Sequence, residues 1–260
     1  MLRKAAKTWH FSMNGQRSLA RVRVVLCRPS HPGNIGAAAR AMKTMGLSRL
    51  YLVRPRAFPH PDADARAAAA TDVLNNAIVC DGLAPALEGT LLAAAMTARR
   101  RELTLTVRTP REAASELLAA AGMGDVALVF GSESSGLDNT ELALCQIPVT
   151  IPANPEYASL NLANAVQILS YELRLAAQDA PLPVAADQNL APFEDVERFH
   201  AHLEQVMTDS GFLDPHHPGR LIARLRRLFG RARLEREEVN ILRGLLNSLT
   251  KKVDRNTRVF

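Results

Sequence analysis

Cysteine is scarce in this chain. Cys27, Cys80 and Cys145 lie far apart, with no Cys-x-x-Cys spacing and no Cys/His grouping. An odd, scattered set argues against a disulfide framework and a structural zinc site, and a reducing cytoplasm is the simplest compartment for it. Long apolar runs are missing too. Nothing approaches the roughly 18–20 residues that cross a bilayer, and the first residues hold no long apolar segment of the secretory kind. His216 and His217, the adjacent histidine pair, sit in a proline-rich turn without a cysteine nearby and read as loop residues. There is no Ser-His-Asp order, no His-Glu-x-x-His and no carboxylate pair in the loops described below, so hydrolysis by a nucleophile or a metal is disfavoured. Cys145 precedes a buried-looking strand and reads as core. A dinucleotide-dependent oxidoreductase would need G-x-G-x-x-G and an acid about 20 residues on, and the sequence has neither.

What is present is enough to build a core. Of 260 residues, 47% are hydrophobic and 22% charged, which suits one large domain with a smaller satellite. The net charge is +6 and the pI is near 9.6. Residues 1–23 carry Arg3, Lys4, Lys7, Arg17, Arg21 and Arg23 without an acid, and residues 218–233 carry six arginines without one. Either cluster alone reads as a solvated face. Two at opposite ends of the chain point to a polyanion, with nucleic acid favoured.

Residues 1–20 show no clear period and read as a flexible basic arm. Short apolar runs at 22–27, 50–53, 77–80, 91–96, 126–130 and 148–152 read as strands. Helical patterns lie between them, at 35–45, 62–75, 83–89, 110–121 and 138–145, and a long amphipathic helix follows at 158–178. Continuous apolar strands alternating with helices give an α/β fold whose parallel sheet is covered on both faces. Three prolines and no period mark 179–193 as a linker. Residues 194–260 read as a small all-α domain, helical over 194–252.

In such sheets the chemistry gathers beyond the carboxyl ends of the strands. Four loops there stand out. The first, HPGNIGAAARAMKTMG, opens a helix that Asn34 could cap, with Gly36 as a packing glycine and Arg40, Lys43 and Thr44 on a polar face. The second, MTARRREL, sets three adjacent guanidiniums beside the small residues Thr97 and Ala98, an arrangement suited to a phosphate backbone. The third, FGSESSGLDNTEL, brackets Glu133 with Gly131 and Gly136. Asp138 and Glu141 there have capping-box spacing. The fourth, IPANPEYASLNLANAV, clusters Ser159, Asn161 and Asn164 where one cap would suffice, and the excess suggests a ligand.

NIGAAARAMKTMG, FGSESSGLDNTEL and IPANPEYASLNLANAV, in this order and spacing, resemble the three motifs of the SPOUT RNA 2′-O-methyltransferases. The C-terminal HPGRLIARLRRLFGRARLEREEVNILRGLL narrows the likeness to their bacterial tRNA (cytidine/uridine-2′-O-)-methyltransferases. The resemblance spans about residues 21–252. It implies a parallel-sheet SPOUT domain (21–178) with a C-terminal trefoil knot, a homodimer with its active site shared across the interface, and S-adenosyl-L-methionine bound in the knot, with S-adenosyl-L-homocysteine as product. The substrate implied is the ribose at position 32 of the tRNA anticodon loop. By position, Met96, Thr97, Ala98, Gly131, Ile151, Ala158, Ser159 and Leu160 would hold the methyl donor. Arg40, Glu133, Ser159 and Asn161 match the active-site positions. Asn34, Arg40, Lys43, Arg99, Arg101, Arg224, Arg227 and Arg231 would contact RNA. Ser132 stands where many relatives carry a basic residue. No metal site is implied.

A guanidinium has a pKa above about 12 and is a poor proton acceptor. The expectation is therefore that Arg40 holds the phosphate and the developing negative charge, while Ser159 or solvent assists proton loss. A methyltransferase for rRNA or another tRNA position, and a non-catalytic RNA-binding module, are the alternatives.

Overall fold

The computed structural model describes residues 13–97, 106–179, 189–217 and 219–257. In chain order the first part runs α1 (Met13–Leu19), β1 (Val22–Cys27), α2 (Pro32–Met45), β2 (Arg49–Val53), α3 (Pro61–Ala67), α4 (Thr71–Asn75), β3 (Ile78–Cys80), α5 (Leu83–Leu87) and β4 (Thr90–Met96). It continues with α6 (Pro110–Ala121), β5 (Asp125–Phe130), α7 (Asn139–Ala143), β6 (Ile147–Val149) and α8 (Leu162–Asp179). Helices α9 (Phe193–Asp209), α10 (Leu221–Ala232) and α11 (Arg236–Thr257) follow. The six strands form one parallel sheet in the order β3-β2-β1-β5-β4-β6.

Side chains alternate across a strand, so β1 feeds two cores. Val22, Val24 and Leu26 face α2, α6 and α8, while Val25 and Cys27 face α5 and α7. This double burial is why the strands read as continuous apolar runs. Pro32 opens α2 where its missing N–H costs nothing, and Gly46 closes the helix in the left-handed conformation. Gly36 is required by packing: a Cβ there would stand 2.0 Å from the Ala63 carbonyl oxygen of α3.

Several expectations need correction. Part of the supposed N-terminal arm is α1, whose Leu19 is buried and whose Gly15 lies so close to α8 that a Cβ would meet the Ala177 oxygen at 2.2 Å. Residues 1–12 lie outside the described residues. Asn34 does not cap α2. His31 holds that position without a side-chain bond, and Asn34 falls in the first turn. The predicted strand at 148–152 is only Ile147–Val149, and the predicted helix at 158–178 begins at Leu162. Residues 150–161 instead run as a loop. The helix expected at 62–75 breaks at Ala68, whose φ is +50°, into α3, a short 3-10 turn and α4. The last residues of the supposed linker are docked: Ala191 donates to the Leu234 carbonyl at 2.9 Å, and Ala191 and Phe193 are buried.

Helices α9–α11 carry a core of their own around Phe199, Leu234, Val239 and Leu246, with the Phe229 ring edge-on to Phe199 at 4.7 Å. They are pinned to the sheet by Phe193, by a bond from the Gly89 amide to the Glu194 carboxylate at 2.8 Å, and by the Arg233–Glu116 ion pair. Among the described residues no helix is long and apolar enough to cross a membrane.

Candidate active site

Three loops converge at the carboxyl edge of the sheet, after β4, β5 and β6. Met96, Thr97, Gly131, Ile151, Ala158, Ser159 and Leu160 line one cavity of about 380 Å³. The spacing of these residues along the chain hides their neighbourhood; the fold brings them together. Ala98 lies outside the described residues. The loop edges are tied to each other. The Thr97 amide donates to the Val149 carbonyl at 2.9 Å, and the Thr150 hydroxyl donates to the Thr97 carbonyl at 2.7 Å.

Gly131 sets the depth of the cavity. The 131–137 turn folds back so tightly that a Cβ on Gly131 would stand 2.1 Å from the Gly136 carbonyl carbon and 2.2 Å from the Leu137 nitrogen. Gly136 takes φ +68° to make that return. A bond from its amide to the Ser132 carbonyl at 2.9 Å closes the turn. Ser132 itself hydrogen-bonds Ser135 at 2.8 Å. Gly136, Leu137 and Leu162 also line the cavity, although the resemblance does not imply them as donor contacts. The two glycines bracketing a polar loop were the signal for the turn.

Glu133 joins the first and third of the four loops. Its carboxylate accepts from the Ser30 amide and hydroxyl, both at 2.9 Å, and from Asn34 Nδ2 at 2.8 Å. Asn34 therefore keeps its Oδ1 free to accept from Asn161 Nδ2 at 3.0 Å, and Asn161 Oδ1 accepts from the Ala163 amide at 2.9 Å, capping α8. The polar excess at 159–164 is thus partly a cap and partly a relay. Burial disfavours the charged form of Glu133, but the donors from Asn34 and Ser30 outweigh it and hold the pKa down to about 2.

This depression has a sign. The folded pKa lies below the ordinary 4.5, so the stabilisation is complete above about pH 5 and fades as the pH falls toward 2. Glu133→Gln should abolish that pH dependence. It would also place an amide N–H₂ against donors, costing about 2 kcal/mol at neutral pH once solvent screening of a half-exposed group is allowed for. Chemical denaturation at pH 7 and pH 3 checks this: the gap between parent and variant should narrow at the lower pH.

Beyond the relay lies a second hollow of about 760 Å³, lined by Asn34, Ala37, Arg66, Asn161 and Asn164 among others. Arg40 stands one turn past Ala37 on α2, exposed, and it lines neither hollow. Lys43 donates to Asp72 at 2.7 Å and to the Ala69 carbonyl at 2.8 Å. Arg99 and Arg101 lie outside the described residues. Arg224 and Arg231 are exposed on α10, with Arg227 half-buried beside them.

Two charged groups mattered more than expected. Arg28, in a left-handed backbone conformation (φ +50°), pairs with Glu141 and reaches the Gly136 carbonyl at 3.3 Å. Glu141 also completes the capping box with Asp138, as its spacing implied, but it is buried and anchors the β1 loop to the β5 loop. Cys145 is core: burial pushes its thiol up to about 12.

The chain matches the SpoU rRNA Methylase family over residues 21–171 and the tRNA methyltransferase TrmJ C-terminal domain over residues 194–258. It is 50% identical over 248 residues to the tRNA (cytidine/uridine/adenosine-2′-O-)-methyltransferase TrmJ of Pseudomonas aeruginosa, covering 91% of this chain and 96% of that one. With the tRNA (cytidine/uridine-2′-O-)-methyltransferase TrmJ of Yersinia enterocolitica it shares 49% over 240 residues, covering 90% and 93% of the two chains. The crystal structure of TrmJ from Z. mobilis ZM4 superposes with a TM-score of 0.79 at 35% identity, over 89% of this chain and 100% of that one. The sheet with its crevice and the appended helices fall within these two matched ranges, and the chain belongs to the SpoU methylase family, with a TrmJ C-terminal domain.

Proposed function

We propose that this chain is an S-adenosyl-L-methionine-dependent methyltransferase that acts on the ribose 2′-oxygen of cytidine or uridine at position 32 of tRNA. The observation that carries the reading is the crevice of about 380 Å³ beside the Glu133–Asn34–Asn161 relay. Among the described residues its lining is small, apolar or hydroxylic, with one carboxylate, Glu133, and no lysine or arginine, and its volume lies in the range of pockets that take a small organic ligand. A charged phosphate pocket would look different.

When bound, the donor supplies an activated methyl on a sulfonium, whose leaving group is a neutral thioether. The protein's work is then positioning and easing the loss of the hydroxyl proton. The residues around Gly131 and Ile151 hold the donor. Glu133 is a positioning residue: it fixes Asn34, and through it Asn161, at the mouth of the crevice. Arg40 grips the phosphate and offsets negative charge on the oxygen, and the Ser159 hydroxyl assists passage of the proton to solvent.

Arg40 is exposed and lines no part of its own chain's crevice, which supports a homodimer in which each protomer offers Arg40 to its partner's crevice. The C-terminal trefoil knot, the arginines Arg99, Arg101, Arg224, Arg227 and Arg231 as tRNA contacts, and a cytoplasmic location belong to the same reading. So does the division into a catalytic unit over 21–178 and a tRNA-holding unit over 194–260.

Nucleoside mass spectrometry of tRNA from cells with and without this chain tests the proposal. Loss of 2′-O-methylcytidine or 2′-O-methyluridine at position 32 is expected on deletion. Unchanged tRNA with a lost rRNA ribose methyl would move the substrate to the ribosome, and no lost methyl at all would reject the activity.

A further inference from the structure

The sheet and the helical C-terminal unit meet at a third cavity, of about 660 Å³, where α7 faces α9 and α10. It is separate from the donor crevice: Leu137 lines that one, and Asn139, two residues on, lines this one. The methyl transfer itself does not use it, although Arg224 and Arg227, read above as tRNA contacts, line it.

Its lining is sorted by chemistry. Leu142, Phe193 and Val196 make an apolar floor, and Arg220, Arg224 and Arg227 join Arg226 on the other wall. Glu197 is the one carboxylate among these lining residues, and Arg226 already engages it with two bonds of 2.6 and 3.0 Å. Positive charge therefore exceeds negative charge in a concave, partly apolar hollow. Such a hollow focuses the field and favours an anion. His200 adds a different group. It is only 7% exposed yet lines the cavity, and its ring packs against Phe199 and Phe229, which offer its nitrogens no hydrogen-bond partner. Burial and the nearby Arg226 charge lower its pKa to about 4, so at neutral pH the ring presents one donor and one acceptor. A neutral imidazole suits the edge of a base better than a phosphate.

We propose that this seam is a second RNA subsite, which takes one unpaired nucleotide of the substrate tRNA with its base on the Phe193 floor beside His200 and its phosphate on the arginine wall. Proteins read RNA sequence mainly through such splayed-out nucleotides. The inference rests on the tRNA-methyltransferase reading and adds a contact away from the methylated ribose.

The test uses the full chain and a tRNA transcript. Arg224 is exposed, so Arg224→Glu leaves the fold intact. It should raise KM for tRNA about tenfold and flatten the salt dependence of binding by about one phosphate contact. His200→Phe keeps the burial and the ring packing but removes the donor and acceptor, and it should raise KM several-fold. In both variants kcat and the affinity for S-adenosyl-L-homocysteine should match the parent. A transcript carrying 4-thiouridine should crosslink to the peptide that contains His200. If His200→Phe fails to fold, the Arg224→Glu result and the crosslink decide. Unchanged KM and salt slope in Arg224→Glu, or no crosslink to that peptide, overturns the subsite. A parent chain that does not methylate tRNA rejects the underlying reading instead.

Discussion

Gly131→Ala should weaken binding of S-adenosyl-L-methionine by at least about a hundredfold. The added methyl has no space: its nearest neighbours are backbone atoms at 2.1 and 2.2 Å, and backbone cannot swing aside as a side-chain end can. The 131–137 turn would have to open, and with it one wall of the crevice. Stability should fall as well, by about 1–3 kcal/mol, as for other overpacked core sites. Isothermal titration with S-adenosyl-L-homocysteine, on protein first shown to be folded, reads the first effect. Gly244→Ala is the control. Nothing lies within 4 Å of a Cβ there, and Gly244 sits inside α11, so alanine should stabilise the chain by about 0.5–1 kcal/mol and leave binding untouched.

Arg40→Ala should lower kcat/KM for tRNA by about a thousandfold while leaving donor affinity unchanged, because its proposed contacts are the tRNA phosphate and the reacting oxygen and not the donor. Arg40→Lys keeps the charge but loses the planar fork, and it should cost about a hundredfold. Near-normal activity in the lysine variant would mean that the bidentate grip is not used. A mixture of the two defective chains tests whether the site is shared. If the site is shared as proposed, a mixed dimer of Arg40→Ala and Gly131→Ala protomers holds one intact crevice that faces an intact Arg40 of the other protomer. Co-expression should restore about a quarter of parental activity, half the dimers being mixed and each holding one working site. If Arg40 served its own chain, no activity would return.

The sheet and its cover of helices were legible because strands buried on both faces read as unbroken apolar runs, and β1, β4 and β5 fall within a residue of their predicted positions. Short elements were read less well. The run 148–152 looked like a strand throughout, yet pairing with β4 ends at Val149 and Ile151 turns into the crevice. Residues 158–161 read as helical because they continue the apolar pattern of α8 backward, yet Ala158, Ser159 and Leu160 line the crevice and Asn161 caps the helix. Asn34 looked like a cap because asparagine before an apolar helix usually is one. Its bond to Glu133 spans 99 positions, and local pattern carries no record of such a contact. The pairing of Arg28 with the buried Glu141 was hidden in the same way. The basic run at 218–233 reads in sequence as one electrostatic patch. In the fold, Arg226 and Arg233 pair with Glu197 and Glu116, and Arg224 and Arg231 remain exposed on α10.

The central claim is methyl transfer to a ribose hydroxyl at position 32. It is tested most directly with S-adenosyl-L-methionine labelled in its methyl group and two tRNA transcripts that differ only in a 2′-deoxy substitution at that position. The account predicts label in the ribose of nucleotide 32 of the unmodified transcript and none in its deoxy counterpart. Equal labelling of both transcripts, label on a base, or no transfer to either would contradict it.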